Sequence, residues 1–227
     1  MNDFSECIDF LRTNNMIQKN ELIDVISHRL SDIGCENISL INKALDDASI
    51  FHISQKRADG QSYIVHPLRV ALIYSFIADT NCADFGYGII ASFLHDVVED
   101  SNVTFEYISN TYGSEVASII NQLSTRKEEI SETVAERKIR KTSKWSTLQN
   151  ADANILAVHA GDVCDNAISW RNLPVTNSSK IPRWMYQVKE YQIPLFKKHF
   201  PKVVSMLQEE ITFQENRGYP IGRWEDI

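Results

Sequence analysis

The sequence predicts an all-α protein, an irregular helical bundle without internal repeats. Three observations carry that prediction. Only 8 glycines and 6 prolines punctuate 227 residues, so few turns are marked by chain-breaking residues. Apolar residues recur at helical spacing along most of the chain. No run of alternating apolar and polar residues is long enough to predict a strand.

The elements follow in order. Residues 1–36 read as two short amphipathic helices, the second with Leu22, Ile23, Ile26 and Leu30 on one face. They read as an N-terminal helical extension (a lid, a dimer element or a cap on the core) to a domain spanning 37–227, the whole expected as one compact domain. Leu40, Ile41, Ala44, Leu45, Ala48 and Phe51 make one apolar stripe on the next helix. Pro67 fits a first helical turn, followed by Leu68, Val70, Ala71 and Tyr74. Ile89, Ile90, Phe93, Leu94 and Val97 describe a deeply buried helix. Thr104 and Glu106 suggest a capped short helix that stops at Gly113. Val116, Ala117, Ile119, Ile120 and Leu123 form another. Ile155, Leu156, Val158, Val163 and Ala167 form a further core helix. Pro182 and Pro201 bracket the late helical segments.

Composition narrows the function. Lys plus Arg number 23 and Asp plus Glu 30, a net charge of −7 with pI ≈ 5.4. That balance argues against a nucleic-acid partner, which needs a basic surface. A 43% hydrophobic content suffices for a real core. Cys7, Cys35, Cys82 and Cys164 form no C-x-x-C pair, which fits a reducing compartment. The N-terminus is acidic where a signal peptide is basic. The longest apolar-rich run, Val70 to Ala78, has about nine residues, and a membrane span needs roughly twenty. The expectation is a cytoplasmic protein with no membrane partner. The oligomeric state, a homo-oligomer included, is left open.

The informative stretch is Phe93-Leu94-His95-Asp96-Val97-Val98-Glu99-Asp100. Adjacent helical residues do not share a face, but a loosened last turn lets His95 and Asp96 reach one point. Imidazole plus carboxylate is a mixed N/O ligand set suited to Mn²⁺, Fe²⁺ or Zn²⁺. Charges beside an apolar run are costly to bury unless they coordinate or pair. His66-Pro67 lies upstream, with His66 in the N-cap region of its helix. Asp162 stands on the apolar helix downstream, where a carboxylate needs a partner.

These elements resemble a known family. Gln55-Lys56-Arg57, Gly60, Tyr63-Ile64, His66-Pro67-Leu68, His95-Asp96-Val97-Val98-Glu99-Asp100, Tyr112-Gly113 and Ala160-Gly161-Asp162 with Asn166 run in the order and spacing of one group. It is the hydrolase domain of RelA/SpoT enzymes and their small, single-domain (Mesh1-like) alarmone hydrolases. These are HD-domain metal-dependent phosphohydrolases, and the match covers roughly residues 40–200. The resemblance implies an HD fold in which His66, His95, Asp96 and Asp162 bind one divalent metal, commonly Mn²⁺. It implies that Glu99 and Asp100 position or activate the attacking water. It places Arg57, Asn166 and Ser169 at the nucleotide, and gives Tyr63 no more than packing. The implied reaction removes the 3′-pyrophosphate of a (p)ppGpp-like nucleotide.

The sequence also departs from that pattern. Ala58 follows Arg57 where a second cation is common. Val163 stands at another basic position, Asp165 adds an acid, and His159 replaces a common Lys. Fewer cations put the substrate in question. Arg137, Lys138, Arg140, Lys141 and Lys144 offer a supply, with Arg137, Arg140 and Lys141 as candidate phosphate contacts. A solvated helix face is the alternative. His159 reads as a cleft-lining or hydrogen-bonded histidine, His52 as structural, and Trp145, Trp170 and Trp184 as core or rim. Two other functions stay open. One is a nucleotidase or phosphatase acting on another phosphorylated nucleotide, such as NADPH or a pppApp-like compound. The other is a non-catalytic nucleotide-binding regulator, against which the Glu99-Asp100 pair argues. A core match of about 160 residues leaves no room for a synthetase, so the expected role is degradation.

Overall fold

Asp3 starts the first helix by accepting the Glu6 N–H at 3.0 Å, and α1 runs Phe4–Thr13. Glu21 accepts the Gln18 N–H at the start of α2 (Lys19–Asp32). Helices α3 (Ile38–Phe51), α4 (Val65–Ile77), α5 (Phe85–Leu94) and α6 (Val97–Asp100) follow. The computed structural model describes residues 1–81, 83–124, 133–173 and 180–222. Thr104 caps α7 (Phe105–Tyr112) by accepting the Tyr107 N–H. Gly113 ends it at φ 95°, a conformation that costs glycine little. Beyond it lie α8 (Ser114–Leu123), α9 (Val134–Leu148) and α10 (Ala153–Ser169), the last capped by Asp152. A 3₁₀ turn (Trp170–Asn172) precedes α11 (Lys180–Gln187). A π-helical turn (Val188–Gln192) then leads into α12 (Ile193–Phe196), and α13 (Pro201–Asn216) closes the described chain.

The fold is all-α, as the sequence predicts. Among the described residues the only β pairing is a single bridge between Lys56 and Ser62. No helix is long and apolar enough to cross a membrane, among the same residues.

The centre of the core is α4. Every residue from Val65 to Ser75 is buried. A helix apolar nearly all round must be covered on every side. Here α1, α2, α5 and α10 cover it. Helix α4 begins at Val65, so His66 is its second residue, inside the helix rather than at its cap. Pro67 sits in the first turn, where its missing N–H leaves no bond unmade. The closest approach is between α4 and α10. A Cβ at Gly161 would lie 2.9 Å from the Val70 carbonyl oxygen, so only glycine admits this crossing. Asp162 is the next residue, and the crossing delivers it to His66.

The N-terminal helices belong to this same core. Phe4, Cys7, Ile8, Leu11, Leu22, Ile26 and Leu30 are buried and join one apolar cluster with α4 and α10.

Candidate metal centre

Three segments converge beside the α4–α10 crossing. The first supplies His66 from the start of α4. The second is the break between α5 and α6. Helix α5 ends at Leu94, and His95 and Asp96 turn before α6 begins at Val97. That break turns two adjacent side chains to one point, as the sequence requires. The third is α10, which supplies Asp162.

His66, His95 and Asp162 present donor atoms within 4.8 Å of one another. His66 Nε2 lies 3.3 Å from Asp162 Oδ1 and 3.5 Å from Asp96 Oδ2. His95 Nε2 lies 3.0 Å from Asp96 Oδ2 and 4.0 Å from Asp162 Oδ1. The imidazole side chains are 4–5% exposed and the carboxylates 21% and 24%. The centre is therefore sealed behind the histidines and opens past the carboxylates.

A divalent cation fits these residues. His95 Nδ1 meets the Ser92 carbonyl at 2.9 Å, and His66 Nδ1 meets an Asp165 carboxylate oxygen at 2.7 Å. Both partners only accept, so each Nδ1 carries a proton and each Nε2 faces the centre. His95 Nε2 is buried and has no hydrogen-bond partner among the described residues. An orphaned buried nitrogen beside two carboxylates is what a bound cation would satisfy.

The electrostatics agree. Burial disfavours charge on all four groups. Opposing charge from His95 and a hydrogen bond from His66 nevertheless hold Asp96 well below the usual carboxylate range. Asp162 is lowered against its burial by its hydrogen bond to His66 and by the charges of both imidazoles. Burial and Arg57 work against a protonated His66, but hydrogen bonds to Asp162, Asp165 and Asp96 raise it well above the ordinary imidazole value.

Tyr63, expected only to pack, does more. Its hydroxyl donates to Asp96 Oδ2 at 2.6 Å. Asn166, four residues past Asp162, donates to Asp162 Oδ1 at 2.6 Å. His159 is buried and its Nε2 meets Gln192 Oε1 at 2.8 Å, while its Nδ1 stands 4.0 Å from Asp162 Oδ2. Burial pushes its pKa down to about 4, so it is a neutral imidazole on the cavity wall. Gln192 reaches it from the π-helical turn, a distortion that often marks functional sites. Glu99 and Asp100 both lie on α6, with Glu99 half-buried and Asp100 exposed. Burial and the charge of Asp96 raise the Asp100 pKa. Gln55 donates to the Asp100 carbonyl at 2.8 Å and accepts at 2.7 Å from fully buried His52, which makes His52 a strut for this segment.

Two cavities adjoin the centre and share Asn166 and Trp184. The larger, about 280 Å³, reaches Asp162, His159, Lys144 and Trp145. The smaller, about 180 Å³, reaches His66, Tyr63, Arg57 and Ser169. Arg57 is held there by a turn, in which its N–H donates to the Gln61 carbonyl and Gly60 adopts φ 89°. Its guanidinium binds Asp165. Asp165 is fully buried and faces away from both cavities, so it is not the acid in the substrate path that the sequence suggests. Trp170 is buried and stacks on Trp184 at 5.8 Å. Arg137, Arg140 and Lys141 lie on α9, but their side chains fall outside the described residues.

Sequence reasoning named Asp165 only as an added acid and missed its contact with His66, and it missed the polar role of Tyr63. The signal for Asp165 was present, since it is as anomalous on the apolar α10 as Asp162.

Comparison with known proteins points to the same fold. Residues 44–181 match the HD-domain family model. The chain is 30% identical over 155 residues to the probable GTP pyrophosphokinase of Mycobacterium leprae, covering 67% of this chain and 18% of that protein. It is 31% identical over 143 residues to the guanosine-3′,5′-bis(diphosphate) 3′-pyrophosphohydrolase of Borreliella burgdorferi, covering 63% and 21%. It is 25% identical over 206 residues to the probable enzyme of the same name from Mycoplasma pneumoniae, covering 80% and 27%. The chain thus spans no more than 27% of the length of these relatives. Among solved structures it superposes with a TM-score of 0.61 and 19% identity on a metazoan ortholog of SpoT described as hydrolyzing ppGpp. That match covers 77% of this chain and 95% of the other.

Proposed function

The chain belongs to the HD-domain family, and we propose that it is a metal-dependent hydrolase that removes the 3′-pyrophosphate from (p)ppGpp-like nucleotides. The observation that carries this reading is the convergence of His66, His95, Asp96 and Asp162 beside two cavities, with Glu99 and Asp100 on the helix that directly follows Asp96. The names of the Borreliella and Mycoplasma relatives support the substrate class.

His66, His95, Asp96 and Asp162 would hold the cation, with Mn²⁺ as the proposed metal. When bound, such an ion polarises a phosphoryl oxygen, offsets its charge and acidifies water. The protein's own groups do the rest. Glu99 and Asp100 accept the proton of the attacking water or orient it. Partial burial and the charge of Asp96 raise the Asp100 pKa, which moves this carboxylate toward the range of a general base. Tyr63 and Asn166 hold the two carboxylates in place. Lys144 lies in the larger cavity and offsets phosphate charge there, and Arg57, Ser169 and Trp184 border the nucleoside in the smaller one. Water adds its oxygen to the phosphorus and the 3′-oxygen leaves with the proton. The products are pyrophosphate and a nucleoside diphosphate. Arg137, Arg140 and Lys141 are further proposed phosphate contacts, and the cytoplasm is the proposed compartment.

One observation favours a second reading. Arg57 is committed to Asp165, which leaves the smaller cavity less cationic than its residue types suggest. That favours a less highly charged phosphorylated nucleotide. A nucleotide panel read separately for pyrophosphate and orthophosphate release discriminates the two. Pyrophosphate from ppGpp supports the first reading, and orthophosphate from a nucleotide monoester supports the second.

A further inference from the structure

Behind the candidate ligand His66 lies a chain of polar contacts that the hydrolytic reading does not use. Asp165 is fully buried. Its Oδ2 accepts from His66 Nδ1 at 2.7 Å and from Arg57, and its Oδ1 lies 3.4 Å from Arg69 Nη1. Arg69 is itself 1% exposed. Its Nη2 donates onward to the main-chain carbonyls of Asn14 and Asn15, in the turn that joins α1 to α2. Gln61 Nε2 donates to the same Asn15 carbonyl at 2.9 Å.

A buried carboxylate between two guanidinium groups is expensive to desolvate and seldom adds net stability over an apolar replacement. Its effect on His66 is specific. It fixes the proton on Nδ1, sets the plane of the ring and leaves Nε2 as the nitrogen that meets Asp96 and Asp162. A carbonyl would fix the proton as well, and it serves His95 in that way. A carboxylate adds negative charge behind the ring and makes Nε2 a stronger donor to a cation.

We infer that Asp165 is the positioning residue for His66, and that Arg69 anchors Asp165 to the α1–α2 turn. The first two helices are then the outer support of the metal centre. This rests on His66 being a metal ligand. It does not depend on which nucleotide is cleaved, so its tests read the metal and not hydrolysis.

The first test needs no variant. In ¹⁵N-histidine NMR of the wild-type protein loaded with Zn²⁺, the His66 ring should show a protonated, strongly hydrogen-bonded Nδ1 and a metal-bound Nε2. Metal on Nδ1, or an unprotonated Nδ1, would overturn the inference. The second is a Mn²⁺ titration followed by electron paramagnetic resonance. Asp165→Asn keeps the size of the side chain and should weaken Mn²⁺ by about 10–100-fold, the range for losing a partner that orients a ligand. Wild-type affinity in a folded Asp165→Asn protein contradicts the role. If that variant does not fold, the wild-type NMR result decides. Arg69→Met should weaken Mn²⁺ in the same direction, and the double variant should be no worse than the weaker-binding single one, because both act through one chain. Fully additive losses would remove Arg69 from it.

Discussion

His66 and His95 point their Nε2 atoms at one centre because each Nδ1 is already occupied. His95→Ala should therefore abolish stoichiometric metal binding, measured by elemental analysis of the purified variant. The two rings also set a pH dependence. Hydrogen bonds to three carboxylates raise the His66 pKa well above the ordinary imidazole value, so a cation competes with a proton for this ring. Metal affinity should rise with pH until His66 deprotonates unaided, and fall as the medium is acidified. Calorimetry of metal binding at pH 7 in two buffers of different ionisation heat should report net proton release. Binding with no proton uptake or release would contradict that competition. Glu99→Gln separates chemistry from coordination. It should retain the metal and lose about 10²–10⁴-fold in turnover, the range for a proton-transfer group.

At the scale of elements, the α4–α10 crossing fixes the site. Gly161→Ala places a methyl group against the Val70 carbonyl. Overpacking of this kind costs about 1–3 kcal/mol, to be read from thermal unfolding. It should also weaken metal binding, because Asp162 is the adjacent residue. The helices were legible because apolar residues repeat at 3.6-residue spacing, and α7 because Thr104 and Gly113 mark its ends. The loosened turn at His95-Asp96 followed from chemistry, since two adjacent side chains cannot meet on one helical face. The π-helical turn at Val188–Gln192 was not legible, because it serves a contact between Gln192 and His159, 33 residues apart. The roles of Asp165 and Tyr63 were hidden for the same reason. A lone Asp or Tyr in a sequence does not reveal which distant imidazole or carboxylate it meets.

At the scale of the molecule, one buried carboxylate ties the ends of the chain together. Glu210 on α13 is fully buried and binds Arg12 of α1 at 2.7 Å and Arg171 of the 3₁₀ turn at 2.7 Å. Glu210→Ala would remove the buried partner of two part-exposed arginines, of which Arg12 keeps Glu209, and should cost about 1–3 kcal/mol in denaturant unfolding. The net charge of −7 also acquires a local meaning. Asp96 and Asp162 concentrate negative charge where a cation would reverse the field toward a polyphosphate.

The proposed centre, loaded with metal, cleaves at the 3′-pyrophosphate. The direct measurement is product identity when purified, Mn²⁺-loaded protein meets ppGpp. Pyrophosphate and GDP should appear in equal amounts, be lost in EDTA, return with Mn²⁺ and be absent from the His95→Ala variant. No turnover at full metal occupancy, or orthophosphate in place of pyrophosphate, would contradict it.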